Sequence, residues 1–320
     1  RQLIQEYEIK EVFWNKDYEP YAIKRDSEIC ELLKTKQIQF FLFKDQVIFE
    51  ENEITKADGL PYTVYTHYKN KWLEKYQSIA PVFEYDTIEK LSNFCEINFA
   101  FPTLEKIGFE DSHIKVIPYN LKNVANYHET RDFPALDSTT HLSPHLRFGT
   151  VSIRKLVNWA ATKNQVFLNE LIWREFFMQI LFSFPKVVAH NFKSAYDGIQ
   201  WRNNEEDFER WCSGTTGYPM VDAGMRELNE TGYMHNRVRM VVASCLCKHL
   251  LINWQWGEAY FAEKLLDYEL SANVGNWQWA AGTGCDAAPY FRVFNPEIQL
   301  QKFDEKGIYI RKWIPELDLE

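Results

Sequence analysis

Asn273-Val274-Gly275-Asn276-Trp277-Gln278-Trp279 is the stretch that decides how this chain is read. It is approached through Asp267 and Glu269 and followed by Asp286-Ala287-Ala288-Pro289-Tyr290-Phe291-Arg292. Two tryptophans two apart, a glycine read as a small turn, an amide and two carboxylates do not suit a plain apolar core, which would place Leu, Ile and Val there. The pattern predicts a pocket that holds something both aromatic and polar.

Upstream of this stretch apolar residues recur at helical spacing over residues 151–159, 168–182, 222–228, 237–251 and 258–265, which predicts a mostly helical second half. The beginning is different. Residues 11–14 are short and apolar, 22–34 have helical spacing and 38–43 form a continuous apolar run, the pattern of a βαβ unit with a parallel sheet. One such unit cannot make a stable sheet by itself, so the reading is an α/β remnant, a partial Rossmann-like parallel sheet with exposed apolar edges. Between the two regions, residues 56–120 lack sustained periodicity and carry Gly59, Pro61, Pro81, Pro102 and Pro118, the character of a linker with short helices. The expected division is 1–55 for the partial α/β domain, 56–120 for the linker and 121–320 for the helical domain.

The 320 residues have 46% apolar content, enough for substantial cores, and a formal charge of −9. An acidic total confines any nucleic-acid contact to a local patch. No apolar run reaches the roughly 18 residues of a membrane span and the amino terminus is charged from Arg1 onward, so a cytoplasmic address is expected. Cys30, Cys95, Cys212, Cys245, Cys247 and Cys285 have no CxxC spacing and read as reduced small hydrophobes, with no metal site.

Several motifs have two readings. Ser138-Thr139-Thr140-His141-Leu142-Ser143-Pro144 places four hydroxyls before a predicted helix, as caps or as a phosphate cradle. Glu170, Trp173 and Arg174 share one helix face, as an intrahelical ion pair beside a core tryptophan or as part of a site. Gly217-Tyr218-Pro219-Met220-Val221-Asp222-Ala223-Gly224-Met225-Arg226 suits simple helix initiation. Arg237 and Arg239 in Met234-His235-Asn236-Arg237-Val238-Arg239-Met240 point to different sides of a helix, as if one is internal and the other faces solvent or phosphate.

Taken in order from Asn15 to Leu317, these motifs resemble the photolyase/cryptochrome family, and most closely its class I cyclobutane pyrimidine dimer photolyases. The resemblance implies a helical FAD-binding domain and a light-driven carbon–carbon lyase that repairs such dimers in DNA, with FAD active as FADH⁻. It implies that Tyr127, Thr139, Thr140, Leu142 and Ser143 hold the FAD pyrophosphate, with His141 where the family usually has Arg. Asp267, Glu269 and Asn273 would meet the flavin, Glu269 replacing the usual Asp, and Arg174 would reach flavin or DNA backbone. Glu170 and Asn236 would hydrogen-bond the dimer, with Trp173, Met240 and Trp279 on its apolar faces and Arg237 and Arg239 on the DNA side. Trp277, Trp254 and Trp201 match the family's electron-transfer chain, although each alone reads as a packing residue.

Asn236 and Met240 favour dimer repair over signalling, the alternative being a cryptochrome-like blue-light photoreceptor without repair activity. Tyr21-Ala22 stands where folate-binding members carry Asn-Glu, so folate is disfavoured and the identity of a second antenna chromophore stays open. Compared with the family, both ends look truncated. The expected partner is DNA containing cyclobutane pyrimidine dimers, bound by a monomer that is nucleoid-associated when on DNA.

Overall fold

The structure is a computed structural model that describes residues 1–85, 88–94, 100–287, 289 and 292–317. Cys95 and, within the motif after Gly284, Ala288, Tyr290 and Phe291 lie outside the described residues. After a short helix α1 (Gln2–Glu6), strand β1 (Glu11–Asn15), helix α2 (Pro20–Thr35) and strand β2 (Gln39–Phe43) form the expected βαβ unit. The strands are parallel, with Phe13 opposite Phe41 in register. Side chains alternate across both strands. Phe13 stacks on Phe41 with ring centroids 4.9 Å apart, and Phe13, Phe41 and Phe43 are all exposed, so one face of the pair is an open aromatic surface.

The remaining helices are α3 (Tyr65–Ile79), α4 (Tyr127–Thr130), α5 (Ser143–Arg147), α6 (Ile153–Lys163), α7 (Gln165–Ser183), α8 (Glu205–Ser213), α9 (Pro219–Thr231), α10 (Asn236–Ser244), α11 (Trp254–Lys264), α12 (Leu270–Ala281), α13 (Pro296–Phe303) and α14 (Ile308–Trp313). The long apolar run expected over 237–251 divides: α10 gives way at Cys245 to a π-helical turn, Cys245–His249. Among the described residues no helix is long and apolar enough to cross a membrane.

Two apolar clusters share α7 between them. One joins α3, α6 and α7; the other joins α9, α10, α11, α12 and α14 with Leu181 at the end of α7. α7 is apolar nearly all round, which is the pattern of a helix buried on several sides. Asn164 caps it, its side-chain oxygen accepting from Val166 N at 3.0 Å and Phe167 N at 3.1 Å.

The one charged group fully inside α7 is Glu175. Its Oε2 accepts from Ile48 N at 2.6 Å, and its Oε1 accepts from Phe49 N at 3.2 Å, from Tyr68 Oη at 3.1 Å and from Trp72 Nε1 at 2.7 Å. Burial pushes this carboxyl up to about 7 even against those four donors. The segment after β2, which belongs to the expected α/β division, and helix α3, which falls in the expected linker, are thereby fastened to α7.

The expected turn at Gly275 is not there. Gly275 lies inside α12, where a Cβ would come within 2.2 Å of Cδ1 of Phe177. Glycine stands here because α7 and α12 approach so closely that no side chain fits between them. Glu269 starts the helix: its carboxylate accepts from Ser271 N at 3.1 Å, Ser271 Oγ at 2.6 Å and Ala272 N at 2.8 Å.

Candidate functional site

α10, the end of α11, the turn at Asp267 to Glu269 and one face of α12 enclose a cavity of about 110 Å³. Of the residues expected from the sequence, Asn236, Arg239, Met240, Asp267, Glu269, Asn273, Trp277 and Trp279 line it. The sequence reading missed Phe261, Tyr268, Ala272 and Asn276 in the same wall. Asn276 sits inside the quoted stretch and one turn beyond Ala272, so helical spacing on α12 was the signal that could have found both.

Most polar groups around the cavity are already held by the protein, which fixes them. Arg239 donates from one terminal nitrogen to both oxygens of Asp267, at 3.1 and 2.9 Å, and from Nε to Met234 O at 2.7 Å. Burial works against that guanidinium, but the Asp267 carboxylate outweighs it and holds Arg239 above its ordinary value. Asn273 donates from Nδ2 to Glu258 O at 3.1 Å and to Glu258 Oε1 at 3.0 Å. Its Oδ1 is thereby oriented as an acceptor. Burial raises the carboxyl of Glu258.

A second group of expected residues, on α7 and at the start of α10, does not line this cavity. Glu170 is ion-paired to Arg131 at 2.5 Å. Trp173 is stacked on Tyr65, ring centroids 3.5 Å apart and 7° from parallel, and on Phe177 at 5.5 Å. Arg174 donates to Gln46 O at 2.6 Å. Arg237 is paired with Asp132 at 2.7 Å and lies over the Phe303 ring at 4.3 Å. Both arginines of α10 therefore meet a carboxylate, where the sequence predicted one inside and one facing solvent or phosphate. Arg131, Asp132 and Glu258, which supply the partners, had no signal in the sequence.

The hydroxyl-rich loop does not cap α5: its N-cap is Leu142 and no side chain closes the helix start. Thr139 Oγ1 and Tyr233 Oη are 3.2 Å apart, and His141 Nε2 is 2.7 Å from Asp137 Oδ1. His141 is buried at φ +52°, and its Nδ1 has no partner among the described residues. Tyr127 packs edge-on against Phe167 at 5.3 Å, and burial pushes its hydroxyl far above the ordinary tyrosine value. At the head of α10, His235 Nδ1 accepts from Arg237 N at 3.2 Å while Nε2 is buried without a partner among the described residues. Burial drives that imidazole down to about 4.

The three tryptophans differ in burial, two being interior and one partly exposed. Trp277 is buried and meets Phe261 edge-on at 5.0 Å. Trp254, at the start of α11, is equally buried, whereas Trp201 is only partly so. Trp254 and Trp201 both border a polar cavity of about 340 Å³. Among the described residues no group of His, Cys, Asp and Glu is arranged to hold a metal.

Comparison with known proteins gives matches over nearly the whole length. Residues 1–86 match the family model described as DNA photolyase, and residues 167–319 match the FAD binding domain of DNA photolyase. The deoxyribodipyrimidine photo-lyase of Vibrio cholerae is 38% identical over 99% of this chain and 72% of its own. Among solved structures, a bacterial class III photolyase from Agrobacterium tumefaciens superposes with a TM-score of 0.88 at 34% identity, covering 99% of this chain and 70% of that one. An archaeal photolyase from Sulfolobus tokodaii with two FAD molecules superposes with a TM-score of 0.76 at 34% identity, over 99% and 72%.

Proposed function

The chain belongs to the DNA photolyase family, and from that membership we propose that it repairs cyclobutane pyrimidine dimers in DNA by light-driven electron transfer, as a deoxyribodipyrimidine photo-lyase. The observation that carries the reading is the cavity between α10 and α12, which gathers two carboxylates, three asparagines and two tryptophans around one slot. That donor set fits FAD. Asn273 offers an acceptor to a ring N–H, Asp267 and Glu269 suit hydroxyls and the ring edge, and Trp277 gives an aromatic wall. The unpartnered, buried Nδ1 of His141 supports a phosphate-bearing group near the hydroxyl loop, with Tyr127, Thr139, Thr140, Leu142, Ser143 and Arg174 as its proposed holders.

Reduced FAD supplies the light-absorbing donor of one electron. The protein's own work is to receive and hold the damaged bases. Dimer-repairing photolyases are among the enzymes known to extrude their target from the duplex, and unstacking is least costly at a damaged site. Met240 and Trp279 line the cavity as apolar and aromatic surfaces, and stacking contributes about 1–3 kcal/mol per base. Asn236 at the head of α10 and Glu170 are the proposed hydrogen-bonding groups for the dimer's polar edge, with Trp173 beside them. Arg237 and Arg239 belong to the DNA side of this proposal, their charges matched by Asp132 and Asp267. No general acid or base is needed for the ring to split. The enzyme acts as a monomer, and Trp277, Trp254 and Trp201 form the route by which oxidised flavin is restored to its active state.

The test is anaerobic illumination of the reduced protein with an oligonucleotide bearing one cyclobutane thymine dimer. Thymine absorbance that returns only with light and bound FAD is the expected result. Flavin binding without restored absorbance would move the reading to a photoreceptor.

A further inference from the structure

The indole N–H of Trp254 donates to Oδ1 of Asn191 at 2.9 Å. Both residues are buried, Trp254 to 2% and Asn191 to 7% exposure. An indole N–H is a donor only, so the amide oxygen of Asn191 is the atom that must face it. The backbone N–H of Asn191 donates in turn to Asp197 Oδ1 at 2.8 Å, and Asp197 Oδ2 lies 3.7 Å from His190 Nδ1. The exposed Asp197 carboxylate thus holds the Asn191 backbone, and the indole N–H meets the amide oxygen of Asn191.

An indole that loses an electron becomes a strong N–H acid, and its fate depends on what accepts its hydrogen bond. A carboxylate or water takes the proton and leaves a neutral radical, which is a poor oxidant for a neighbouring tryptophan. An amide oxygen accepts the hydrogen bond but is no base near neutral pH. We propose that Asn191 is a positioning residue that keeps oxidised Trp254 protonated, so that the electron vacancy passes on to Trp201 and does not stop in the interior. Both indoles border the polar cavity, but Trp254 is buried with its N–H held by Asn191, whereas Trp201 is partly exposed, so water can take its proton.

The proposal rests on reading Trp277, Trp254 and Trp201 as the electron route. One electron leaves Trp254 to fill the vacancy that illumination of bound, oxidised flavin creates on Trp277. Trp254 keeps its N–H proton and takes one electron from Trp201. Trp201 then releases its N–H proton to water, and an external thiol returns one electron and one proton to it.

The experiment is transient absorption of the flavin-loaded protein in a Trp201→Phe background, where the vacancy halts at Trp254. With Asn191 present, the signal should be that of the tryptophan radical cation, decaying without conversion to the neutral radical. Adding Asn191→Asp, at mildly alkaline pH, should convert it to the neutral radical. In the protein that retains Trp201, the same substitution should abolish the Trp201 signal. Asn191→Ala, which removes the amide acceptor and opens the indole N–H to water from the polar cavity, should likewise give the neutral radical. The visible flavin spectrum and the Trp254 indole N–H resonance establish that each variant is folded. A neutral radical with Asn191 in place, or a cation that persists unchanged in Asn191→Ala, overturns the proposal while leaving the route intact. No Trp254 signal at all in the Trp201→Phe background overturns the route and the proposal together.

Discussion

Gly257 of α11 lies directly against the ring of Trp277: a Cβ at this position would come within 2.2 Å of Cη2 and 2.6 Å of Cζ3 of the indole. The same hypothetical Cβ would be 2.6 Å from Leu246. The position of Trp277 is therefore set by the absence of a side chain three residues after Trp254, one turn along the same helix.

Gly257→Ala is expected to force the Trp277 ring to move, since the neighbour is a rigid aromatic in a packed core. The cost is about 1–3 kcal/mol of stability, characteristic of overpacking. Thermal unfolding measures that, and photoreduction of oxidised flavin should slow in the same variant. An unchanged melting temperature would mean the helices part more easily than the packing suggests.

Trp254→Phe keeps an aromatic ring in the core but removes both the redox-active indole and the hydrogen bond to Asn191. Photoreduction of oxidised flavin should be largely lost, while repair by protein reduced beforehand continues at close to the wild-type yield. Equal losses in the two assays would reject the electron route.

Glu170→Ala removes the partner of Arg131 at a partly exposed site, so the stability change should be small, about 1 kcal/mol or less. Repair yield should fall several-fold with the flavin spectrum unchanged. Release of flavin by this substitution would place Glu170 in the cofactor's pocket and not in the dimer's.

His235 gives a pH signature. Burial lowers its imidazole from 6.5 to about 4, so the folded protein keeps it neutral where the unfolded chain already binds a proton. Its contribution is whole above pH 6.5 and is lost as the pH falls toward 4, by on the order of 3 kcal/mol. Glu175 and Glu227, pushed by burial from 4.5 to about 7, act oppositely, their effect on stability falling as pH rises through that window. Comparison with His235→Asn, which retains an acceptor at the helix start, isolates the histidine. Denaturant unfolding at stepped pH should show the variant losing less stability than wild type between pH 6.5 and 4. Parallel curves would remove His235 as the cause.

The βαβ unit and most helices were legible because their apolar spacing is regular and local. α12 was harder: Ser271, Val274, Trp277, Gln278, Ala280 and Ala281 are all buried, so no polar stripe marks its period, and Gly275 looks like a turn until Phe177 is placed beside it. The cavity lining from Asn236 to Trp279 was readable as motif. The partners that fix the expected site residues were not, because Arg131 with Glu170, Asp132 with Arg237, and Glu258 with Asn273 pair residues far apart in sequence or across helices. The hydroxyl loop shows the reverse: its composition suggests a helix cap, and the backbone instead starts α5 at Leu142 with the hydroxyls turned to other partners.

The four donors on Glu175 have a consequence for how the molecule opens. Lifting residues 46–50 off α7 strips two of the four hydrogen bonds from a carboxylate that stays enclosed, so a local excursion there is nearly as unfavourable as losing the whole helical body. The amide hydrogens of Ile48 and Phe49 should accordingly exchange with deuterium as slowly as those of the innermost helices, although they belong to a loop. A protease would find that segment resistant while the native state persists.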